Sequence, residues 1–229
     1  MKKVIVIVRT RDEEAMIGRF CRAYQWADHI LVADGGSLDR TVDIATSFPN
    51  VRTRNFFQVV QSPNGFYHNP DGLHSNFLIE WAKEFSPDWI IFDDCDSIPT
   101  LRLQEDARSI LELVEWNCVF VRRFYVWIDG KSHFPALDVG ASMWAWKPAN
   151  LHVRANKAND FHPVLNPLPA EYEFTCMLND PYRLLHYSWR SEEQIQRKLA
   201  MYKDFGIAMQ HPLESCGELA ALPEWAVPE

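Results

Sequence analysis

Trp-Ile-Ile-Phe-Asp-Asp-Cys-Asp-Ser, residues 89–97, is the stretch of sequence that decides the fold. Its four apolar or aromatic residues predict a strand that is buried on both faces. Three carboxylates, Asp93, Asp94 and Asp96, follow directly. Neighbouring carboxylates repel one another and raise one another's pKa, so a cluster at the end of a buried strand commonly binds a cation. The alternative is a solvated acidic turn that binds nothing.

The composition is that of a folded, water-soluble domain. With 229 residues, 47% of them apolar and 24% charged, the chain can bury a full core. No run approaches the roughly 18 apolar residues of a membrane span, and the apolar run after Lys3 is too short for a signal peptide. A net charge of −8 argues against non-specific nucleic-acid binding. The five dispersed cysteines indicate neither a disulfide framework nor a zinc site. We expect a cytoplasmic protein, either free or at the inner face of a membrane.

Strands and helices alternate over the first hundred residues. Runs of β-branched residues and helical spacing of apolar residues predict four strands and three helices. The strands are 3–8, 29–33, 49–57 and 89–92, and the helices are 12–25, 39–47 and 73–85. Prolines, glycines and asparagines predict a loop over 61–72. This alternation is typical of a parallel sheet with crossover helices.

The second half of the chain is less regular. It predicts a helix over 101–115, strands over 118–128, 141–146 and 182–187, and a turn at Asp129-Gly130. Residues 148–170 are rich in proline and asparagine and predict a long functional loop. Ser191 to Gln194 form a capping box that opens a last helix. The proline-containing C-terminal segment has no assignment.

Polar turns follow three of the predicted parallel strands. Thr10 and Arg11 follow the first strand, Asp34 and Gly35 follow the second, and the acidic cluster follows the fourth. In an open α/β sheet, ligands bind outside the carboxyl ends of the strands. We therefore expect the three turns to line one crevice.

Several of these segments resemble one protein family. Residues 32–42, Val-Ala-Asp-Gly-Gly-Ser-Leu-Asp-Arg-Thr-Val, resemble the VDSGSTDGTV segment of glycosyltransferase family 2, and residues 26–30 resemble the WADEI before it. Asp12-Glu13 stands where the family has an Asn-Glu pair, and residues 94–96 stand where it has its DxD motif. Residues 185–188, Leu-His-Tyr-Ser, resemble its C-terminal histidine segment. The similarity covers roughly residues 3–100 and this short second piece.

The resemblance implies the GT-A fold, a Rossmann-like α/β domain with a mixed, mostly parallel sheet flanked by helices. A single domain is expected over 1–229, with a nucleotide-sugar-binding half at 1–100, an acceptor-side half at 101–210 and a tail at 211–229. The implied activity is transfer of a sugar from a nucleoside-diphosphate sugar, dependent on Mn²⁺ or Mg²⁺. The acceptor, whether a glycan, a lipid-linked compound or a protein, stays open, as does the choice between retention and inversion.

The resemblance also implies roles for individual residues. Asp96 would bind the metal directly, Asp94 would contact the ribose or a metal-bound water, and His186 would complete the coordination. Such a metal would stabilise the departing diphosphate. The residues implied for nucleotide-sugar binding are Thr10, Arg11, Asp34, Gly35, Ser75 and Asp94. Asp93 is expected to support its neighbours, because adjacent side chains on a strand point to opposite faces.

Two departures from the family leave roles open. Ser75-Asn76 stands where many members have an Arg-Asn pair, so a positive contact to the diphosphate must come from the metal or from elsewhere. The candidates are His68, His74, Arg9 and Arg11. His162-Pro163 stands where related sequences often read His-Glu, so the base that takes the acceptor's proton is unassigned. Its nearest candidates are Asp138 and Asp160, each of which can equally be an ordinary surface carboxylate.

Other features carry alternatives of their own. Aromatic residues of the second half, namely Trp127, Trp144, Trp146 and Phe161, suit either strand core or stacking on sugars. Basic residues of the last helix and its start, namely Arg190, Arg197, Lys198 and Lys203, suit either a solvated face or a phosphorylated acceptor. Two other functions remain open. One is a non-catalytic nucleotide- or glycan-binding module, and the other is a phosphohydrolase of the haloacid-dehalogenase kind with an Asp-x-Asp nucleophile.

Overall fold

The computed structural model describes residues 1–69, 71–138, 140–148 and 175–227. The first half alternates strands and helices as the sequence predicts. Its elements are β1 Val4–Thr10, α1 Glu14–Ala23, β2 His29–Asp34, α2 Thr41–Thr46, β3 Val51–Asn55, β4 Val60–Gln61, β5 Tyr67–His68, α3 Asp71–Lys83, β6 Trp89–Phe92 and β7 Ser97–Pro99.

Among its described residues, the second half adds further strands of the sheet and three helices. Its elements are α4 Leu101–Leu113, β8 Cys118–Tyr125, β9 Ser132–His133, β10 Ala141–Trp146, β11 Thr175–Met177, β12 Arg183–His186, α5 Glu192–Asp204, α6 Pro212–Ser215 and β13 Ala220–Ala221, with short 3-10 turns at Pro135–Leu137 and Glu224–Ala226.

One mixed sheet of nine strands organises the described chain. The order is β3-β2-β1-β6-β10-β8-β12-β7, and β11 pairs with β8 beside this path. β1, β2, β3 and β6 run parallel, as do the pairs β8–β12 and β8–β11, whereas β10 and β7 run antiparallel to their neighbours. The expectation of a mixed, mostly parallel α/β sheet flanked by helices is confirmed.

The sheet is buried on both faces because side chains of each strand alternate between two helical layers. Val4, Val6 and Val8 of β1 pack into one core with residues of α1 and α4. Ile5 and Ile7 pack into a second core with residues of α3. This explains why the parallel strands are continuous apolar runs in the sequence.

Three local features differ from the sequence-based expectation. The predicted loop 61–72 contains the small hairpin β4–β5, and α3 begins at Asp71. β7 has only three residues and ends in Pro99, so it carries no readable periodicity, yet it pairs with β12. The unassigned C-terminal segment pairs through β13 with β9. No helix among the described residues is long and apolar enough to cross a membrane.

Candidate active site

A cleft of about 330 Å³ opens at the carboxyl ends of β1 and β6 and is closed on its far side by α5. The expectation that strand-end turns meet in one crevice holds for the first and the fourth strand. The residues that line the cleft are Arg9, Thr10, Arg11, Glu13, Asn69, Asp71, His74, Asp94, Cys95, Asp96, His186, Ser188, Lys198, Met201 and Tyr202.

Asp94, Asp96 and His186 form a compact cluster in this cleft. One ligand atom of each residue lies within 4.8 Å of those of the other two. Antiparallel pairing of β12 with β7 sets His186 opposite Ser97, and the Tyr187 backbone N–H donates to the Asp96 carbonyl oxygen at 2.7 Å. The short strand β7 therefore brings together two segments that are distant in the sequence.

The imidazole of His186 is oriented by its neighbours. Its Nδ1 lies 2.8 Å from Ser97 Oγ and 3.4 Å from Asp96 Oδ1, and Tyr125 packs edge-on against the ring at 5.2 Å. Burial lowers the pKa of His186 despite the opposing effect of Asp96. The ring is therefore neutral at physiological pH, which is the form that can bind a metal.

Asp94 is held by two arginines. Arg9 approaches its Oδ1 at 3.1 Å and Arg123 approaches its Oδ2 at 3.4 Å. Burial alone would raise the pKa of Asp94, but Arg123 and Arg9 outweigh it and hold the pKa well below its usual range. Asp94 is therefore an ionised carboxylate with a fixed orientation.

Asp93 supports this arrangement from the core. It is 1% exposed, accepts a hydrogen bond from Tyr24 Oη at 2.8 Å, and pairs with Arg123 at 3.3 Å. The Tyr24 hydroxyl in turn accepts from Trp144 Nε1 at 3.1 Å. Burial raises the pKa of Asp93 to about 7, although Arg123 opposes the shift. The side chain thus anchors Arg123 and faces away from the cleft.

The donor set of the cluster fits a divalent cation. Carboxylate oxygen and imidazole nitrogen are ligands that Mn²⁺ accepts. Ligand atoms of Asp94, Asp96 and His186 lie within 4.8 Å of one another, so the three side chains are close enough together to hold one cation. Asp96 and His186, whose side chains are each 12% exposed, face each other without an intervening arginine.

The Gly-Gly-Ser turn after β2 is built around Asp34. Its carboxylate accepts from Thr10 Oγ1 at 3.2 Å, from the backbone N–H groups of Gly36 and Ser37 at 3.0 and 2.9 Å, and from Ser37 Oγ at 2.5 Å. These four bonds match the acceptor capacity of a carboxylate. A nucleobase that bonded Asp34 would have to replace one of these donors, so that role stays a prediction.

Gly35 lies where a close approach leaves no room for a side chain. A Cβ there would stand 2.1 Å from Asn69 Oδ1. The Asn69 side chain is 7% exposed and donates to the carbonyl oxygens of Gln58 at 3.0 Å and Gly35 at 3.4 Å. Gly35 therefore lets Asn69 join the turn to the segment before α3.

One expected donor contact, Ser75, is not supported by its position. Ser75 has no exposed surface and does not line the cleft, because α3 turns that face toward the sheet. His74 lines the cleft but is only 2% exposed, with Nε2 at 2.9 Å from the Ala33 carbonyl oxygen and its ring stacked on Phe56 at 4.2 Å. Thr10 and Arg11 do line the cleft, while the side chain of His68 lies outside the described part of the chain.

Sequence reasoning assigned no role to Glu13 and left Lys198 open between a solvated face and a phosphorylated acceptor, and both residues line the cleft. Glu13 pairs with Arg190 at 2.7 Å. Burial and the nearby Asp96 raise the pKa of Glu13 to about 7, against the effect of Arg190. Lys198 Nζ donates to the Ser188 carbonyl oxygen at 3.0 Å. Glu13 stands in the Asn-Glu position noted above, and that is the one signal that could have found it.

Asp138 lies on the wrong side of the sheet to act as the predicted base. Successive residues of β8 alternate between its two faces, so Arg123 points to Asp94 whereas Phe124 faces a separate pocket with Asp138. There Asp138 Oδ2 is 2.6 Å from His133 Nδ1, and burial raises the pKa of Asp138 although His133 opposes the shift. The other candidate, Asp160, lies outside the described residues.

The aromatic residues of the second half differ in burial. Trp144 and Trp146 are fully buried in the two cores, as the core interpretation predicts. Trp127 is half-buried and packs against Trp189, with ring centroids 6.4 Å apart. Phe161 lies outside the described residues.

Comparisons with known proteins bear on the fold. No protein-family model matches the chain, and no curated protein matches it. S. aureus TarS is 13% identical with a TM-score of 0.54, and the match covers 91% of this chain but 41% of that one. Residues 1–349 of TarS in complex with UDP give the same identity and TM-score, with 91% and 67% coverage. A mycobacterial protein is 16% identical with a TM-score of 0.50, with 91% and 76% coverage.

At identities of 13–16%, these similarities bear on the fold alone. The chain spans less than half of the full TarS chain and about two thirds of its 1–349 fragment. From the mixed sheet, the cleft at its carboxyl edge and these similarities, we conclude that the chain has the GT-A glycosyltransferase fold.

Proposed function

We propose that this protein is a metal-dependent glycosyltransferase that transfers a sugar from a nucleoside-diphosphate sugar. The observation that carries the proposal is the cluster of Asp94, Asp96 and His186 in the cleft at the carboxyl edge of a GT-A sheet. The structural similarity to TarS, which was crystallised with UDP, supports a nucleoside diphosphate as the donor's leaving group. The haloacid-dehalogenase alternative is not favoured, because the fold is of a different kind.

Asp96 and His186 are the residues we expect to hold Mn²⁺ or Mg²⁺, with Asp94 beside them. When bound, the metal would neutralise the negative charge that develops on the departing diphosphate. Ser97 positions His186, because its Oγ lies 2.8 Å from Nδ1 and holds the ring beside Asp96. Arg9 and Arg123 keep Asp94 ionised and fix its orientation, and we expect the carboxylate to contact the ribose or a metal-bound water.

Lys198 is the cation we propose for contact with the donor's phosphates, in place of the Arg-Asn pair that the chain lacks. Arg9 pairs with Asp71 and Asp94, and Arg190 pairs with Glu13, so both arginines already have carboxyl partners. The ammonium of Lys198 instead bonds a neutral carbonyl oxygen and lines the cleft. Its charge is therefore available for phosphate oxygens.

Binding and turnover of the donor test the proposal. Calorimetry should show that UDP or another nucleoside diphosphate binds the wild-type protein more tightly with Mn²⁺ than with EDTA. A panel of nucleotide sugars should then identify a donor that is turned over. Asp96→Asn should lose the effect of Mn²⁺ on binding and the turnover of the donor.

Asp138→Asn is the matched control, because it removes a half-buried carboxylate outside the cleft. It should bind and turn over the donor like the wild type. The proposal fails if no nucleoside diphosphate binds with Mn²⁺, or if Asp96→Asn responds to Mn²⁺ as the wild type does. Donor binding without turnover under any acceptor would favour the non-catalytic alternative.

A further inference from the structure

A second cavity of about 310 Å³ adjoins the cleft behind the metal-ligand cluster. The two cavities share the residues Asp94, His186, Ser188, Lys198 and Tyr202. A ligand in the second cavity would therefore meet a ligand in the cleft at Asp94 and His186. Two substrates that exchange a group need this kind of adjoining placement.

The walls of the second cavity come from β8, α5 and the segment that follows it. Arg123 and Tyr125 lie two residues apart on β8 and therefore share the face of the strand that borders this cavity. Helix α5 contributes Ile195, Leu199 and Tyr202, which share one face of the helix. Met209, Gln210 and Pro212 close the remaining side. None of these residues belongs to the donor-binding turns after β1 and β2.

The chemistry of the walls is aromatic with a few polar groups. Half-buried rings of Tyr125, Trp189 and Tyr202 line the cavity. Trp189 is held in place by Phe134 and Tyr125, with ring centroids at 5.1 and 6.0 Å. Because aromatic faces suit the C–H face of a sugar and nearby polar groups suit its hydroxyls, the cavity favours a carbohydrate.

Charge argues against a strongly anionic acceptor at this point. Arg123 is balanced by Asp93 and Asp94, and Lys198 faces both cavities. A phosphate in the second cavity would compete with the donor's diphosphate for that one lysine. The volume, at the small end of ligand pockets, suits a single sugar ring.

We infer that the second cavity holds the sugar ring of the acceptor, so that the acceptor of this enzyme is a glycan or glycoside. The inference rests on the proposed function and names its second substrate. A hydroxyl oxygen of the ring would form the new bond to the donor's anomeric carbon. The bond from that carbon to the diphosphate breaks, its electron pair leaves with the nucleoside diphosphate, and the hydroxyl proton is released to solvent.

Glycoside binding can be measured directly, in the absence of donor turnover. Saturation-transfer NMR and tryptophan fluorescence with a panel of methyl glycosides would give affinities for wild-type protein. Trp189→Ala should weaken binding of the accepted glycoside about tenfold, because a ring contact contributes about that factor. Met209→Trp should weaken it as well by filling the cavity, since Met209 is half exposed and can be enlarged without disturbing the core.

Trp116→Ala is the matched control, because Trp116 is partly exposed and lines neither cavity. It should bind glycosides like the wild type, and all three variants should keep UDP affinity within about twofold. The inference is overturned if no methyl glycoside binds the wild type, or if both cavity variants bind the glycoside as well as the wild type does. It is also overturned if glycerol phosphate, and no glycoside, binds in the cavity. UDP binding with Mn²⁺, measured on the same samples, tells such a failure apart from a failure of the proposed function.

Discussion

Substitution of Glu13 by Gln should change how the stability of the metal-free protein depends on pH. Glu13 lines the cleft, and its pKa is raised from an ordinary 4.5 to about 7 by burial and by Asp96. A carboxyl whose folded-state pKa is raised favours folding below its unfolded-state pKa, and this contribution is lost as pH rises through the folded-state value. Gln carries no proton to lose at these pH values, so the variant lacks this pH dependence.

The magnitude follows from the size of the shift. One pH unit corresponds to about 1.4 kcal/mol, so the full shift of Glu13 is worth at most about 3 kcal/mol. Between about pH 5 and 7, Glu13→Gln should gain stability relative to the wild type by about 1 kcal/mol per pH unit, and the difference should level off above pH 7. Titration of other groups, such as His186, changes the stability of both proteins alike and largely cancels in the difference between them.

Urea unfolding followed by tryptophan fluorescence, in buffers with EDTA from pH 5 to 8, measures this difference. Glu14→Gln is the matched control, because Glu14 is an exposed neighbour at the start of α1. Its difference from the wild type should stay within about 0.5 kcal/mol at every pH. A constant difference between Glu13→Gln and the wild type over this range would refute the reasoning, because the carboxyl would then titrate normally.

Three further substitutions follow from the structure. Gly35→Ala should lower the free energy of unfolding by about 1–3 kcal/mol in the same urea assay, because its Cβ would meet the buried Asn69 side chain. Gly140→Ala is its control: the new Cβ would meet nothing within 4 Å, so the free energy of unfolding should change by less than about 0.5 kcal/mol. Asp138→Asn should keep kcat for transfer within about twofold, and a loss of a hundredfold or more would restore Asp138 as the base. Asp96→Asn should abolish the rise in melting temperature that Mn²⁺ gives the wild type, and an undiminished rise would place the metal elsewhere.

Some residues that the sequence suggested for the site are placed elsewhere by the structure, either because they are buried or because they lie on the other face of a strand. Ser75 stands at the family's Arg-Asn position in the sequence, yet α3 packs it against the sheet, and the neighbouring His74 borders the cleft as a nearly buried ring. Asp138 lies between the acidic cluster and His186 in the sequence. In the structure it lines a pocket with Phe124, on the face of β8 opposite to the one from which Arg123 reaches Asp94. No local pattern shows which face of an irregular segment will meet a ligand, since that depends on strands paired from distant parts of the chain.

Local pattern alone determined the parallel half of this protein and the acidic strand end at its centre. Trp89 to Phe92 are apolar because both faces of β6 are covered, so the strand and the carboxylates after it are readable from neighbouring residues. The family resemblance implied that His186 joins Asp96, but only the tertiary structure decided how the carboxylates are held. Pairing of β7 with β12 brings His186 to Asp96, and Arg9 and Arg123 fix Asp94, because contacts between distant segments are set by the packed sheet and leave no signal in local sequence spacing.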